Sequence, residues 1–438
     1  MKQQEIGVLD RPPLAQSLML SIQHLFAMFG STVLVPNLLG VDPAICLLMN
    51  GIGTLIYLFI VKGKIPAYLG SSFAFIAPAG AVIGNNTVHA DGYAAALGGF
   101  IAAGVVFTVI ALIINAAGTG WIHMLFPPAA MGAIVAVIGL ELIPVAAGMA
   151  GWIKSPNAAA ADVWVPDATT ITISTVTLLI TVLGSVLFRG FMRIIPILVG
   201  IVSGYLLAYL LNVTSFGDVA KSGWLEAPTF TMPSFEWAAI LTIVPASLVV
   251  VAEHIGHLIV TGNIVHKDLS KDPGLHRSML GNGVSTILSG FLGSTPNTTY
   301  GENIGVLAIT RVYSTFVIGG AAVFAIVLSF MGKFSALISG IPQPVMGGVS
   351  LLLFGVIAAS GLRMLVESKI DYSKPTNLYL TTIVLVTGLS GAKITIGNFS
   401  LSGMALATVT AILLSLLFKL FEITRLSNDA EASETSEH

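Results

Sequence analysis

Two sets of ionisable side chains sit inside apolar stretches of this chain, and both are of types that handle protons. Glu253, His254 and His257 fall within 236–263; Glu302, Asn303 and Arg311 fall in or beside 299–311. Glu253 and His257 are four residues apart. On a helix they share a face and can interact, whereas His254 points away by about 100° and reads as structural. Histidine titrates near neutral pH, so a Glu–His pair can take up or give off a proton as its surroundings change, and its two members titrate as one coupled unit. The order Glu-His-x-x-His reverses the first two positions of the zinc motif His-Glu-x-x-His, so no metal site is expected.

Glu302 has a different setting. It follows Gly293-Ser294-Thr295-Pro296-Asn297-Thr298-Thr299-Tyr300, where a helix must begin afresh. The first N–H groups of a helix have no intrahelical partner, so Gly301, Glu302 and Asn303 would present free donors beside a carboxylate. A second Gly/Ser-rich, Pro-interrupted stretch, Gly70-Ser71-Ser72-Phe73-Ala74-Phe75-Ile76-Ala77-Pro78, would offer the same at Ser72 and Phe73. Two carboxylates and two sets of unpaired N–H groups suit a small planar ligand with alternating N–H donors and C=O acceptors, such as a pyrimidine base. Such a site rejects analogues that leave its own polar groups unpaired. Phe73 and Tyr300 are placed either to stack on a ring or simply to pack. For His24, which follows Gln23, a ligand contact and a structural hydrogen bond are both open. Asn297 and Thr298 read as satisfying broken backbone rather than touching ligand.

The elements that must hold these residues are membrane spans. The chain is 55% hydrophobic and 9% charged, against about 25% charged in a typical soluble domain. A net charge of -2 gives no basic footprint for nucleic acid, and the single cysteine, Cys46, excludes disulfides and Cys-rich metal sites. Fourteen apolar stretches run from 14–37 to 400–424, of which 68–84 and 299–311 are too short for simple spanning helices. Counting through them with the N-terminus inside, all of the 19 Lys and Arg residues except Lys154, Lys221, Lys333 and Lys393 fall on the cytoplasmic side. That asymmetry sets orientation and puts both termini in the cytoplasm. No cleavable signal peptide is expected, and the acidic tail 427–438 reads as disordered.

The two short segments lie seven spans apart, so the two halves would have opposite topology. Broken segments at matching positions of inverted halves point to a transporter's substrate site. The runs Ser72–Phe75 and Thr298–Tyr300 are expected to be short extended pieces before each half-helix. The fold class expected is an all-α polytopic membrane protein of two inverted repeats of seven. An intramembrane enzyme is the competing class, but no nucleophile–base pair, metal spacing or cofactor motif is visible. A channel is another, and repeats around a closed-in polar site favour alternating access over it.

The residues also resemble a family. Glu302-Asn303-Ile304-Gly305 through Thr310-Arg311, with Gln23-His24, is similar to the signature of the nucleobase/ascorbate transporter family. The likeness is strongest to the family's bacterial uracil:proton symporters: Gln-His-Leu-Phe-Ala-Met-Phe-Gly at 23–30, Phe-Pro-Pro-Ala-Ala-Met-Gly at 126–132 and Ala-Glu-His-Ile-Gly-His at 252–257 carry it. It covers about residues 5–425. The resemblance implies a core domain of 14–115 and 236–331 that moves like an elevator against a gate domain of 126–211 and 342–424, in a homodimer of the inner (plasma) membrane. It implies uracil and a proton as partners and no cofactor. It further implies that Glu253 and Glu302 bond the base, that the backbone of Phe73 and Gly301 beside Ser72 meets its carbonyls, and that Tyr300 lies alongside. His257 would support Glu253, with His24 a further candidate for proton coupling. Purine carriers of the family usually have Gln at the position of Glu302, so a pyrimidine is favoured over the alternatives, a purine, xanthine or small anion. Ser31 stands where the uracil branch has Ala, and a hydroxyl there would retune selectivity if it lines the pocket.

Overall fold

The computed structural model describes residues 5–427 apart from 85, 87, 156–162, 397, 398 and 425. The expected disorder of 428–438 and the middle of the 149–168 loop lie outside the described residues. The chain is mostly helical, and the first apolar stretch is already not one helix. α1 (Leu14–Ala27) and α2 (Phe29–Leu39) are separated at Met28, whose φ of -87° and ψ of 0° fall in the bridge region. α3 (Pro43–Ile60) starts with proline at its first turn, and the Asp42 side chain accepts from Ala44 N–H. Then come β1 (Leu69–Ser71), a 3-10 turn at Phe73–Phe75 and α4 (Ile76–Gly84). α5 (His89–Ala117), α6 (Gly120–Leu125), α7 (Pro128–Met149), α8 (Ala168–Leu187), α9 (Pro196–Leu210) and α10 (Gly217–Lys221) follow.

The second half begins with α11 (Trp237–Ile264) and α12 (Leu275–Leu292). It then repeats the strand-and-half-helix device as β2 (Asn297–Thr299) and α13 (Gly301–Thr310). α14 (Thr315–Ser329), α15 (Gly332–Ser339), α16 (Gln343–Glu367), α17 (Pro375–Leu389), β3 (Lys393–Ile396), β4 (Phe399–Ser402) and α18 (Gly403–Ile423) complete the chain. Among the described residues eight helical stretches are long and apolar enough to cross a membrane by themselves, nine if the α14–α15 pair, bent by 89°, is one span. α6, α15 and the β3–β4 hairpin were not expected from the sequence, and α10 falls in the polar loop 212–235, where the sequence left short structure open.

One expectation needs correcting. The first extended piece is Leu69–Ser71, not Ser72–Phe75, and Phe73–Phe75 is already helical. The aromatic run has strand propensity, but the pairing partner decides: β1 and β2 lie antiparallel, Leu69 opposite Thr299 and Ser71 opposite Asn297.

Packing divides the helices into two groups. α3, α5, α11, α12 and α14 pack on one another, with α1 against α14; α7, α16, α17, α18, α8 and α9 form the other group. Small residues set the close crossings. A Cβ on Gly104 of α5 would lie 3.0 Å from the Gly283 carbonyl of α12, and one on Gly139 of α7 would lie 2.3 Å from the Phe354 carbonyl of α16. α11 touches both groups, through α5 on one side and α7 and α18 on the other.

Candidate functional site

Irregular backbone inside an apolar bundle survives only where its polar groups are paired within the protein, and the strand pair meets that condition. Ser72 N–H donates to the Pro296 carbonyl (2.9 Å), and Leu69 N–H to Thr54 Oγ1 (2.9 Å). The Asn297 amide donates to the Met49 carbonyl (2.6 Å), while Thr286 Oγ1 donates to the Asn297 carbonyl (2.9 Å). The Tyr300 hydroxyl donates to the Ser71 carbonyl. A Cβ on Gly70 would lie 2.0 Å from the Tyr300 ring, so only glycine fits there. Asn297 thus satisfies backbone, as expected, whereas Thr298 also reaches the cavity described next.

This scaffold aims two helix starts at one space. Phe73 begins the first and Gly301 the second, and neither start has a side-chain cap. Glu302 stands in the first turn of α13, where the helix dipole favours an anion. α11 runs alongside and brings Glu253 and His257. Together Ser72, Phe73, Glu253, His257, Tyr300, Gly301 and Glu302 line a single cavity of about 430 Å³. Three of their polar atoms, Glu302 Oε1, Ser72 Oγ and His257 Nδ1, are buried with no hydrogen-bond partner. Buried polar atoms are rarely left so, and a ligand with donors and acceptors would satisfy them. Two aromatic rings line the cavity, the Phe73 centroid 6.1 Å from that of Tyr300, and the buried Phe354 ring packs edge-on against Phe73 at 5.9 Å.

His257 Nε2 is 3.8 Å from Glu253 Oε1, close enough to interact electrostatically but beyond hydrogen-bond distance. His254 turns the other way, meeting Thr299 Oγ1 (2.9 Å) and Asn282 Nδ2 (3.0 Å).

The cavity thus combines unpaired polar atoms, the carboxylates of Glu253 and Glu302 and two aromatic rings. A family model described as "Permease family" matches residues 15–397. Uracil permease from Paenibacillus larvae is 63% identical over 98% of this chain and 100% of that one. Uracil permease from Escherichia coli K12 is 62% identical over 97% of this chain and 96% of that one. The chain belongs to the nucleobase/ascorbate transporter family of permeases.

It is a multi-pass membrane transporter, not an enzyme. Solved structures with the same fold are distant in sequence. SLC26A9 superposes with a TM-score of 0.71 at 10% identity, over 93% of this chain and 66% of that one. The transmembrane domain of the cyanobacterial bicarbonate transporter BicA gives 0.60 at 14%, over 95% of this chain and 99% of that one.

Not every candidate faces the permease's cavity. His24 is buried behind α13, its Nε2 2.7 Å from Asn303 Oδ1, while Asn303 Nδ2 donates to the Pro66 carbonyl (3.2 Å). Arg311 ends α13 in a left-handed conformation and pairs at the surface with Glu5 (3.5 Å). The side chain of Ser31 lies outside the described residues. The sequence reading missed Val135 of α7 and the whole contribution of α16, whose Ser360, Arg363, Met364 and Glu367 form the far wall. Their spacing of three, one and three is the signal that could have found them, since it puts all four on one helix face.

Proposed function

We propose that this permease imports uracil across the inner membrane by proton symport. The observation that carries the reading is the convergence of Glu253 and Glu302 with two helix starts that lack a side-chain cap on one cavity. Uracil's two ring N–H groups match the carboxylates, its two carbonyls match the backbone N–H groups at Phe73 and Gly301, and its flat faces suit the Phe73–Tyr300 wall. Relatives at 62–63% identity bear the name uracil permease, which supports the same substrate.

The proton is carried by the Glu253–His257 pair, and His24 acts one step removed, through Asn303 and α13. Fourteen segments in two inverted repeats form a core that moves against a gate. The two packing groups support this division, because the cavity lies between them: α11, α13 and the strand pair on one side, α7 and α16 on the other. The cavity extends to Arg363 and Glu367 at the end of α16, which the Lys/Arg asymmetry assigns to the cytoplasmic side. Both termini are cytoplasmic, and the protein works as a homodimer.

The test is uptake of radiolabelled uracil into proteoliposomes, with and without an inward proton gradient. The parent should concentrate uracil when the gradient is present. Glu302→Gln should lose roughly 10–100-fold, the effect of replacing a charge-assisted hydrogen bond with a mismatched one. No uptake by folded parent would redirect the reading to purines or small anions. Uptake indifferent to the gradient would keep the substrate and remove the coupling, and accumulation by His257→Gln would remove His257 from the proton step.

A further inference from the structure

The cavity is larger than the ring it is proposed to hold, and its ends differ in chemistry. The inner end presents carboxylates, helix-start N–H groups and aromatic rings. Beyond them the lining includes an apolar group, Val260 and Ile264 of α11, Ala308 of α13 and Ile357 of α16. The outer end is the face of α16 that carries Ser360, Arg363, Met364 and Glu367. Arg363 is the only Lys or Arg among the lining residues. It is exposed, and no hydrogen bond or ion pair within the described residues occupies it, Glu367 one turn on included.

Uracil's own chemistry fixes how it meets such a space. Both N–H groups and both carbonyls are consumed at the inner end. The C5–C6 edge alone has no hydrogen bond to make, and the apolar waist alone makes no hydrogen-bonding demand. Matching them turns C5–C6 toward the mouth and leaves the remaining volume between that edge and Arg363. A guanidinium holds a carboxylate through two parallel N–H···O bonds, a geometry that a mouth cation without a partner is free to offer.

We propose that Arg363 and the apolar waist form a second subsite, which takes an acidic tail carried on C5 of a uracil ring. The ligand class is a 5-(carboxyalkyl)uracil, with the ring in the inner site, the methylenes against Ile264 and Ile357, and the carboxylate on Arg363. This rests on the uracil reading above and deepens it. A ligand of this class bridges α11 and α13 to α16, so it holds the two packing groups together and blocks transport from the side on which the mouth opens.

The experiment is displacement of radiolabelled uracil from the full-length, detergent-purified protein by 5-(2-carboxyethyl)uracil and by its methyl ester. On the parent the acid should displace uracil about fivefold more tightly than the ester, the size expected of a partly solvated bidentate pair. The preference should shrink as salt is raised. In Arg363→Gln the acid-to-ester ratio should fall to one, and in Arg363→Lys to an intermediate value. The ratio is the readout because it cancels any change in uracil affinity that the substitution itself causes. Equal displacement by acid and ester on a parent that binds uracil overturns the subsite and leaves the substrate reading standing. So does an acid preference that survives Arg363→Gln. A folded parent with no saturable uracil binding overturns both.

Discussion

The two broken segments share a backbone plan and divide the chemistry between them. Each is a three-residue strand followed by a short helix, and the strands pair with each other. The first, from Leu69 to Gly84, holds no ionisable side chain; it supplies Ser72, the Phe73 ring and the N–H groups of a helix start. The second, from Asn297 to Thr310, supplies Glu302 as well. The carboxylate that would complete a symmetric arrangement comes instead from Glu253 on the unbroken α11. The proposed transport would gain from this arrangement. The neutral half offers fixed donors with no desolvation cost for charge, and both carboxylates sit on the half that also carries His257. Charged groups inside a bilayer are expensive, and both carboxylates lie on adjoining elements of one half.

The sharpest way to break the comparison is at the strand pair that both halves depend on. Gly70→Ala would drive a methyl group into the Tyr300 ring, with the Cβ at 2.0 Å. The ring cannot withdraw without losing its hydroxyl bond to the Ser71 carbonyl. Such overpacking costs about 1–3 kcal/mol, and here the strain lands on both helix starts together. Transport should be lost and the melting temperature of the purified protein should fall. A Gly70→Ala protein with parental stability and uptake would show that the strand pair does not position the site.

A smaller effect should separate the halves. α13 is tethered from behind by His24 through Asn303, and α4 has no equivalent tether among the described hydrogen bonds. His24→Ala leaves Asn303 Oδ1 buried without that partner, a cost of about 1–3 kcal/mol. Uracil should bind several-fold more weakly because Glu302 sits one residue before Asn303. Asn303→Ala also removes the bond to the Pro66 carbonyl, so it should lose at least as much as His24→Ala, and the double variant should be less than additive. Additive losses would mean that His24 acts on transport by a route other than Asn303.

How much of this could be read from the sequence depends on contrast. Glu253, His257 and Glu302 stand out because a charge in an apolar stretch has no bland background to hide in. Ser72, Phe73 and Gly301 could be found because Gly/Ser/Pro clusters interrupt helices, and interruptions at depth need a reason. Arg363 and Glu367 did not stand out, because a charged residue at the end of a span is ordinary; their spacing with Ser360 and Met364 puts them on one helix face, and only the bundle's geometry brings that face to the cavity. The break at Met28 was hidden for a related reason. Neither Met28 nor its neighbours Ala27 and Phe29 is a helix breaker, so hydropathy reads straight through it. The three-residue shift of β1 from the aromatic run to Leu69–Ser71 was a matter of register, and the partner strand sets register.

The smallest expected effect compares the same substitution in the two half-helices. Gly80 in α4 and Gly305 in α13 each have open space where a Cβ would sit. Alanine at either should raise stability by about 0.5–1 kcal/mol through its better helix propensity. The two positions differ in what that space is. Gly80 is exposed and does not line the cavity, so Gly80→Ala should raise the melting temperature slightly and leave uracil uptake within about twofold. Gly305 lines the cavity opposite α16, so its methyl group would narrow the waist. Gly305→Ala should gain the same stability but lose several-fold in uptake, and it should lose more for 5-substituted uracils than for uracil, because the C5–C6 edge faces that wall. If the two alanines give the same uptake, or if Gly305→Ala penalises uracil and its 5-substituted derivatives equally, the ring does not present that edge to the waist.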